Sequence, residues 1–168
     1  MFLIDQHAGH ERLLYDKFKT AYESGEVMKQ DLLVPYIFDA SIEECMLIDR
    51  EISTIRDMGF DLDKFGNNTY KISSVPLILE KINLEDFVGD ILKNLNKISS
   101  NNEVVKDFFA TKACKAAVKG GQELSNNEVD SLLNQIVDNK TTLLCPHGRH
   151  VCVKIEKSQI EKMFKRKL

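Results

Sequence analysis

The side chains of this sequence that bind metal ions best are spread over three distant segments. They are Asp5, His7 and Glu11 near the start, Cys114 past the middle, and Cys145 with His147 near the end. Imidazole, thiolate and carboxylate together make the ligand set that a borderline-soft cation such as zinc prefers. If these side chains share one ion, the fold must bring both ends and the middle of the chain to one place.

The first segment has the spacing of a helical metal site. His7 and Glu11 are four residues apart, so on a helix they occupy neighbouring positions on one face. Asp5 precedes them at a predicted strand end, where the functional groups of α/β folds gather. His10 lies beside this group and is either a substitute ligand or a surface residue.

The last segment predicts a stiff turn that carries two ligands. Cys145 and His147 are separated by Pro146 and followed by Gly148, and such a turn aims both side chains at one point. Cys114 falls on the alanine-rich side of its predicted helix, where another element can come close. The spacing does not match a zinc finger, whose ligands come in close pairs, so only the fold can assemble the site.

Composition places the chain in a broad class. Its 168 residues suffice for one domain, or for two small ones that share a core, and 43% of them are apolar. No apolar run is long enough to span a bilayer, and we expect no membrane association. Four cysteines without a secretory signal favour a reducing compartment, so we expect a cytoplasmic protein.

The net charge of −3 is unevenly distributed. Residues 31–104 carry 7 basic and 14 acidic side chains, whereas residues 105–168 carry 12 basic and 7 acidic ones. The middle therefore resembles a separate acidic unit inserted between two halves of another, although two solvated faces also account for the pattern. Overall acidity predicts weak DNA binding by the chain alone, because phosphate contacts supply most of that affinity.

Local patterns predict an α/β mixed fold. Strands are expected at residues 2–4, where the pattern is that of a buried strand, at 32–38 with an edge or bulge at Pro35, and at 70–72, 75–79 and 150–155. Helices are expected from about 6 to 25, 41 to 59, 83 to 95, 104 to 117 and 125 to 137, with a short basic helix at the end. Capping boxes are predicted at Ser41 with Glu44 and at Ser125 with Glu128, and residues 99–102 form the clearest linker.

Four motifs, in the same order, resemble those of the MutL mismatch-repair family. Asp5-Gln6-His7-Ala8, two residues and Glu11 are similar to the family's endonuclease motif, and Ala113-Cys114-Lys115 is similar to its Ala-Cys-Arg motif. Cys145-Pro146-His147-Gly148-Arg149 resembles its Cys-Pro-His-Gly-Arg-Pro motif, and Phe164-Lys165-Arg166 its terminal Phe-x-Arg. The resemblance covers essentially the whole chain.

The resemblance implies the C-terminal dimerisation and endonuclease region of a MutL, which nicks double-stranded DNA during mismatch repair and is stimulated by the sliding clamp. It implies a dimerisation subdomain, residues 1–30 and 105–168, interrupted by an external regulatory subdomain, residues 31–104. The partners that it implies are a second copy of the chain, DNA, the replication sliding clamp, other mismatch-repair proteins and the N-terminal ATPase region of the same protein, which lies outside this sequence.

The resemblance also implies a role for each site residue. The ligands of Zn²⁺ would be His7, Glu11, Cys114, Cys145 and His147. Asp5 and Glu11 would be catalytic, since hard carboxylates suit the Mn²⁺ or Mg²⁺ used for nicking. Lys115, Arg149 and Arg166 would face DNA phosphates or support the site.

Three positions depart from the family pattern. Asp16 stands where the endonuclease motif has its second Glu, which keeps the charge on a shorter arm. Lys115 stands for Arg, which keeps the cation but removes bidentate geometry. His150 stands for the final Pro, which removes rigidity and adds a potential ligand. None of them removes a predicted ligand, so we expect activity to be retained.

Residues 30–35 resemble the short segment by which this family binds the sliding clamp. Gln30, Leu33 and Pro35 match the pattern Gln-x-x-Leu-x-Pro. The Gln30 amide can form hydrogen bonds, Leu33 can fill an apolar pocket, and Pro35 stiffens the backbone, as suits a peptide that binds in a groove of its partner. The beginning of an ordinary β-strand, with no binding role, accounts for the same six-residue pattern.

Two other functions fit the same residues. One is a homodimerisation and clamp-binding module whose zinc is structural only and which has no nuclease activity. Asp5 and Glu11 favour the enzyme, because a structural zinc site needs no extra carboxylate. The other is an unrelated small metallohydrolase, which leaves the terminal Phe164-Lys165-Arg166 and the clamp-like segment without explanation.

Overall fold

The computed structural model of the chain describes residues 1–79, 81–94, 102–118, 125–138 and 143–165. In chain order the elements are β1 (Phe2–Ile4), α1 (Gln6–Ser24), β2 (Lys29–Asp39), α2 (Ile42–Asp57), β3 (Leu62–Lys64), β4 (Thr69–Pro76), a 3-10 helix (Leu77–Leu79), α3 (Leu84–Asn94), α4 (Asn102–Ala117), α5 (Asn126–Val137), β5 (Cys152–Lys154) and α6 (Lys157–Met163). The predicted α/β mixed fold is confirmed. Within these ranges no helix is long and apolar enough to cross a membrane.

The chain divides into two compact units. The terminal unit comprises Met1–Leu13 and Gly120–Leu168, and the central unit comprises Leu14–Lys119. Helix α1 begins in the terminal unit and continues into the central one. The predicted boundaries at residues 30 and 105 concern which part dimerises and which part regulates, and that division stays a prediction.

The terminal unit has a small core in which two helices approach closely. Its buried side chains are Ala8, Leu13, Leu132, Cys145 and Val151. A Cβ atom placed on Gly9 of α1 would lie 2.5 Å from Leu132 Cδ2 of α5. The absence of a side chain at Gly9 therefore permits the close contact between α1 and α5.

Strand β1 is present as predicted, but the prediction that it is buried is wrong. Phe2 pairs with Lys154 and Ile4 with Cys152 in an antiparallel ladder with β5. All three side chains of β1 are exposed, Phe2 by 64%. An apolar run alone cannot tell a buried strand from one that pairs on a small, uncovered sheet.

The central unit packs helices against a three-stranded antiparallel sheet with the order β2-β4-β3. Helices α2 and α4 contact each other, α3 lies against α4, and α2 also contacts β3. Aromatic side chains fill much of the core, where Phe60 and Phe87 stack with their ring centroids 4.8 Å apart. Strand β3 was not predicted, because three residues are too short to show a period.

Two capping boxes begin helices where the sequence predicts them. The backbone N–H of Glu44 donates to Ser41 Oγ, and that of Ser41 donates to a Glu44 carboxylate oxygen. Ser125 and Glu128 exchange the same pair of hydrogen bonds at the start of α5.

The expected strand at residues 75–79 is partly wrong, since β4 ends at Pro76 and Leu77–Leu79 form a 3-10 helix. Most of the predicted linker at 99–102 lies outside the described residues.

Strand β2 contains the predicted bulge at Pro35. Asp31 pairs with Ser74 of β4, but the next pair along the strand joins Tyr36 to Ile72. Residues 32–35 of β2 therefore stand opposite a single residue of β4. Leu33, within this excursion, is fully exposed at 105% of its reference area.

Candidate metal centre

Asp5 forms the turn between β1 and α1. One of its carboxylate oxygens accepts a hydrogen bond of 3.0 Å from the backbone N–H of Ala8, which makes Asp5 the N-cap of α1. Its own backbone N–H donates to the carbonyl of Val151 at 2.9 Å. These bonds tie the start of α1 to the segment that precedes β5.

Glu11 occupies the next position on the same face of α1 after His7. His7 Nε2 and Glu11 Oε1 are 3.1 Å apart, as the spacing of four predicts. The side chain of Glu11 is fully buried, with 0% exposure. A buried carboxylate is unfavourable unless donors or cations surround it, so the partners of Glu11 decide what the site can do.

Residues 145–149 form a tight turn that supplies those partners. The backbone N–H of Cys145 donates to the Arg149 carbonyl at 2.8 Å, and that of Gly148 donates to the Cys145 carbonyl at 2.9 Å. Gly148 has a φ of +79°, a left-handed conformation in which glycine is favoured. The turn presents His147 and Arg149 to the same carboxylate.

Both oxygens of Glu11 are engaged. His147 Nδ1 lies 3.2 Å from Glu11 Oε2. Arg149 Nη2 donates to both Oε1 and Oε2 at 3.2 Å. The negative charge of Glu11 raises the pKa of Arg149, and Cys145 and Asp5 raise it further. The guanidinium of Arg149 therefore balances the charge of the buried carboxylate.

The terminal unit brings three predicted ligands together. The ligand atoms of Glu11, Cys145 and His147 all lie within 4.8 Å of one another. These three residues supply one carboxylate, one thiol sulfur and one imidazole, and His7 contacts Glu11 beside the group. Ligands of these types suit a zinc ion. The residues present thus fit the metal that the sequence predicts.

Other predicted site residues lie in the central unit or outside the described part. Cys114 is fully buried in the central core on α4, and its role as a ligand stays a prediction. Lys115 Nζ donates to Asp90 Oδ2 at 2.7 Å, which lowers the pKa of Asp90. Arg166 lies outside the described residues. His10 is half-buried. His150 is exposed, and its backbone forms an isolated antiparallel β-bridge with that of Leu144.

Sequence reasoning missed two features of the site. The first is the capping role of Asp5, although an Asp directly before a helix is a strong N-cap signal. The second is the contact of Arg149 with Glu11, for which the sequence expectation was a phosphate contact or support of the site. No local pattern predicts that contact, because the two residues are 138 positions apart.

Residues 1–124 match the family model of the MutL C terminal dimerisation domain. The chain is 38% identical over 168 residues to DNA mismatch repair protein MutL of Clostridium botulinum (strain Kyoto / Type A2), an alignment that covers 99% of this chain and 25% of that protein. It is 37% identical, with the same coverage, to DNA mismatch repair protein MutL of Clostridium beijerinckii. It is 34% identical to the protein of that name from Citrifermentans bemidjiense, of which it covers 26%. The chain spans about a quarter of the length of these relatives.

Proposed function

This chain belongs to the MutL C-terminal dimerisation domain family, and from that premise we propose that it is a metal-dependent endonuclease that nicks double-stranded DNA during mismatch repair. The observation that carries the proposal is the fully buried Glu11 carboxylate, whose oxygens lie within 4.8 Å of Cys145 and His147 ligand atoms. A buried carboxylate grouped with a thiol and an imidazole is a metal-binding arrangement.

The ligands that we assign are Glu11, Cys145, His147 and His7, with Cys114 as a fifth candidate from the sequence. A bound divalent cation would supply Lewis acidity and lower the pKa of a bound water. The soft thiolate of Cys145 suits Zn²⁺, whereas the exposed carboxylate of Asp5 suits Mn²⁺ or Mg²⁺. Arg149 would place positive charge beside the scissile phosphate, and Lys115 and Arg166 remain candidates for contacts farther along the DNA.

A plasmid-nicking assay with Mn²⁺ tests this proposal. We expect the native chain to convert supercoiled plasmid to the open-circular form and Glu11→Gln to reduce nicking to background. Glu23→Gln is the matched control, because Glu23 lies on the same helix but is exposed and pairs with Lys19. Absence of nicking by a folded, metal-loaded native chain would overturn the enzymatic function.

The second candidate function is a dimerisation and clamp-binding module with a structural zinc. The capping role of Asp5 favours it, because that role accounts for this carboxylate without catalysis. Zinc analysis of the purified chain and the nicking assay separate the two functions. Bound zinc together with a complete lack of nicking would favour the module.

We further propose that the excursion of β2 at residues 32–35 binds the sliding clamp. Leu33 is fully exposed and Val34 is 80% exposed, so two apolar side chains of β2 can contact a partner. Gln30 stays in the ladder opposite Val75, where it anchors the start of the segment. We expect Leu33→Ala to weaken clamp binding in a fluorescence-anisotropy titration. Ile42→Ala, which truncates an exposed aliphatic residue of the same unit, should leave it unchanged.

The second copy of the chain is proposed to contact the sheet of β1 and β5. Phe2, Leu3 and Val153 are exposed there, and clustered apolar exposure marks an interaction surface. The family is named for dimerisation, which makes a second copy the expected occupant. We expect Leu3→Lys to shift the chain from dimer to monomer in sedimentation equilibrium. A dimer that persists at the native affinity would exclude this surface.

A further inference from the structure

We propose that Arg149 is a displaceable countercharge of Glu11. Its guanidinium would neutralise the buried carboxylate until a divalent cation binds, and would then turn to a DNA phosphate beside that cation. This inference rests on the proposed metal site and adds a positioning role for a residue that is not itself a ligand. It links metal binding to phosphate recognition.

Arg149 differs from the two histidine partners of Glu11 because it cannot become a ligand. The imidazole nitrogens of His7 and His147, at 3.1 and 3.2 Å from Glu11, carry lone pairs that can bind a metal. A guanidinium has only donors and a permanent positive charge. When a dication takes the oxygens of Glu11, the imidazoles can share it, whereas the guanidinium is repelled.

The contact between Arg149 and Glu11 is loose enough to be exchanged. A single nitrogen, Nη2, donates to both oxygens at 3.2 Å. The strong form of this pair uses two parallel hydrogen bonds of about 2.7–2.9 Å. The side chain of Arg149 is 52% exposed while that of Glu11 is 0% exposed, so the guanidinium can reach solvent without unfolding the site.

The backbone keeps Arg149 at the site when its side chain turns. The carbonyl of Arg149 accepts from the Cys145 N–H at 2.8 Å, and Cys145 is buried in the core of the terminal unit. Only the side-chain torsions are therefore free to change. A guanidinium released from Glu11 stays within one side-chain length of the ligands, where a phosphate could be bound bidentately.

Two measurements on the full chain test the inference, with Arg149→Gln as the variant. The first is Co²⁺ affinity, followed by absorbance. We expect the variant to bind at least about tenfold more tightly, by analogy with the roughly 1–3 units by which a neighbouring Arg lowers the pKa of a carboxyl group. Lys157→Gln removes a charge that is 89% exposed in the same unit and should bind as the native chain does.

The second measurement is the salt dependence of binding to a short DNA duplex, with and without Co²⁺. We expect the metal to increase the magnitude of the slope of log K against log salt by about 0.9 more in the native chain than in Arg149→Gln, the value for one added phosphate contact. A phosphate contact made by the metal itself is common to both chains and cancels in this difference. Arg149→Met, which keeps the aliphatic stem, repeats both tests if the glutamine variant does not fold.

The outcomes separate this inference from the proposed function. If the native chain binds no metal, the metal site itself is wrong. If it binds metal with an affinity equal to or greater than that of the neutral variants, Arg149 is not displaced and the inference is overturned. A metal-dependent change of slope that is equal in the native chain and in Arg149→Gln would overturn the phosphate contact of Arg149.

Discussion

Replacing Asp5 separates its structural role from its proposed catalytic role. Asp5→Ala removes the acceptor of the Ala8 N–H, whereas Asp5→Asn keeps a side-chain oxygen that can accept the same bond. Asn and Asp are equally good N-caps, but only Asp carries the negative charge that a metal or a helix N-terminus attracts. Asp5→Ala therefore removes both the cap and the charge, whereas Asp5→Asn removes only the charge.

The expected destabilisation follows from the 3.0 Å capping bond. Loss of an N-cap costs about 1 kcal/mol, within a range of about 0.5–2 kcal/mol. The charge adds about 0.3–1 kcal/mol through the helix dipole, and salt screens this contribution. Asp5→Ala should thus lose about 1–3 kcal/mol, and Asp5→Asn no more than about 1 kcal/mol. For a chain of this size, 1 kcal/mol corresponds to about 2–4 °C in Tm.

Thermal denaturation, amide hydrogen exchange and plasmid nicking are measured on the same preparations. The Ala8 amide should exchange faster in Asp5→Ala but not in Asp5→Asn. The Gly9 amide, which donates to the Asp5 backbone carbonyl at 2.9 Å, reports general fraying of the helix end. Equal stability of the two variants would refute the capping argument. Nicking that survives in Asp5→Asn but is lost in Asp5→Ala would refute the catalytic role of the carboxylate.

Three further predictions concern stability. Gly59→Ala should destabilise the chain by about 2 kcal/mol or more, because Gly59 has a φ of +92° and a Cβ there would lie 2.4 Å from Val27 Cγ1. Urea denaturation measures this loss, and a midpoint equal to that of the native chain would contradict the prediction. Tyr70→Phe should cost about 1–2 kcal/mol by removing the 2.6 Å hydrogen bond to Asp49. That bond lowers the pKa of Asp49, so the bond stabilises the fold fully above the unfolded pKa of about 3.9 and less as the pH falls through the folded pKa. The difference in unfolding free energy between the native chain and Tyr70→Phe should therefore shrink below about pH 4. Saturating Zn²⁺ at 100 times its Kd should stabilise the chain by about 2.7 kcal/mol and a chelator should reverse this, whereas a Tm independent of Zn²⁺ would argue against a site specific to the folded state.

Features set by local chemistry were predictable from the sequence. The capping boxes at Ser41 and Ser125 depend on side chains three residues away, and both occur in the structure. The spacing of His7 and Glu11 predicts their contact, because a helix alone determines it. The bulge at Pro35 follows from the missing N–H of proline.

Features set by packing were not predictable in the same way. Whether β1 is covered depends on neighbours that its own three residues do not specify. The meeting of Glu11 with Cys145 and His147 required motif order as a guide, because each motif alone is more common as core or surface. The contact of Arg149 with Glu11 had no signal, since a half-exposed arginine has many sites within its reach.

The bulge in β2 also affects how this sequence can evolve. Residues 32–35 contribute little to the ladder, because Asp31 remains paired with Ser74 and Tyr36 with Ile72 on either side of them. Substitutions there can change the exposed surface of the strand while the register of the sheet is retained. Selection can therefore alter this segment almost independently of folding, as it alters a loop, although both ends of the segment are held in the sheet.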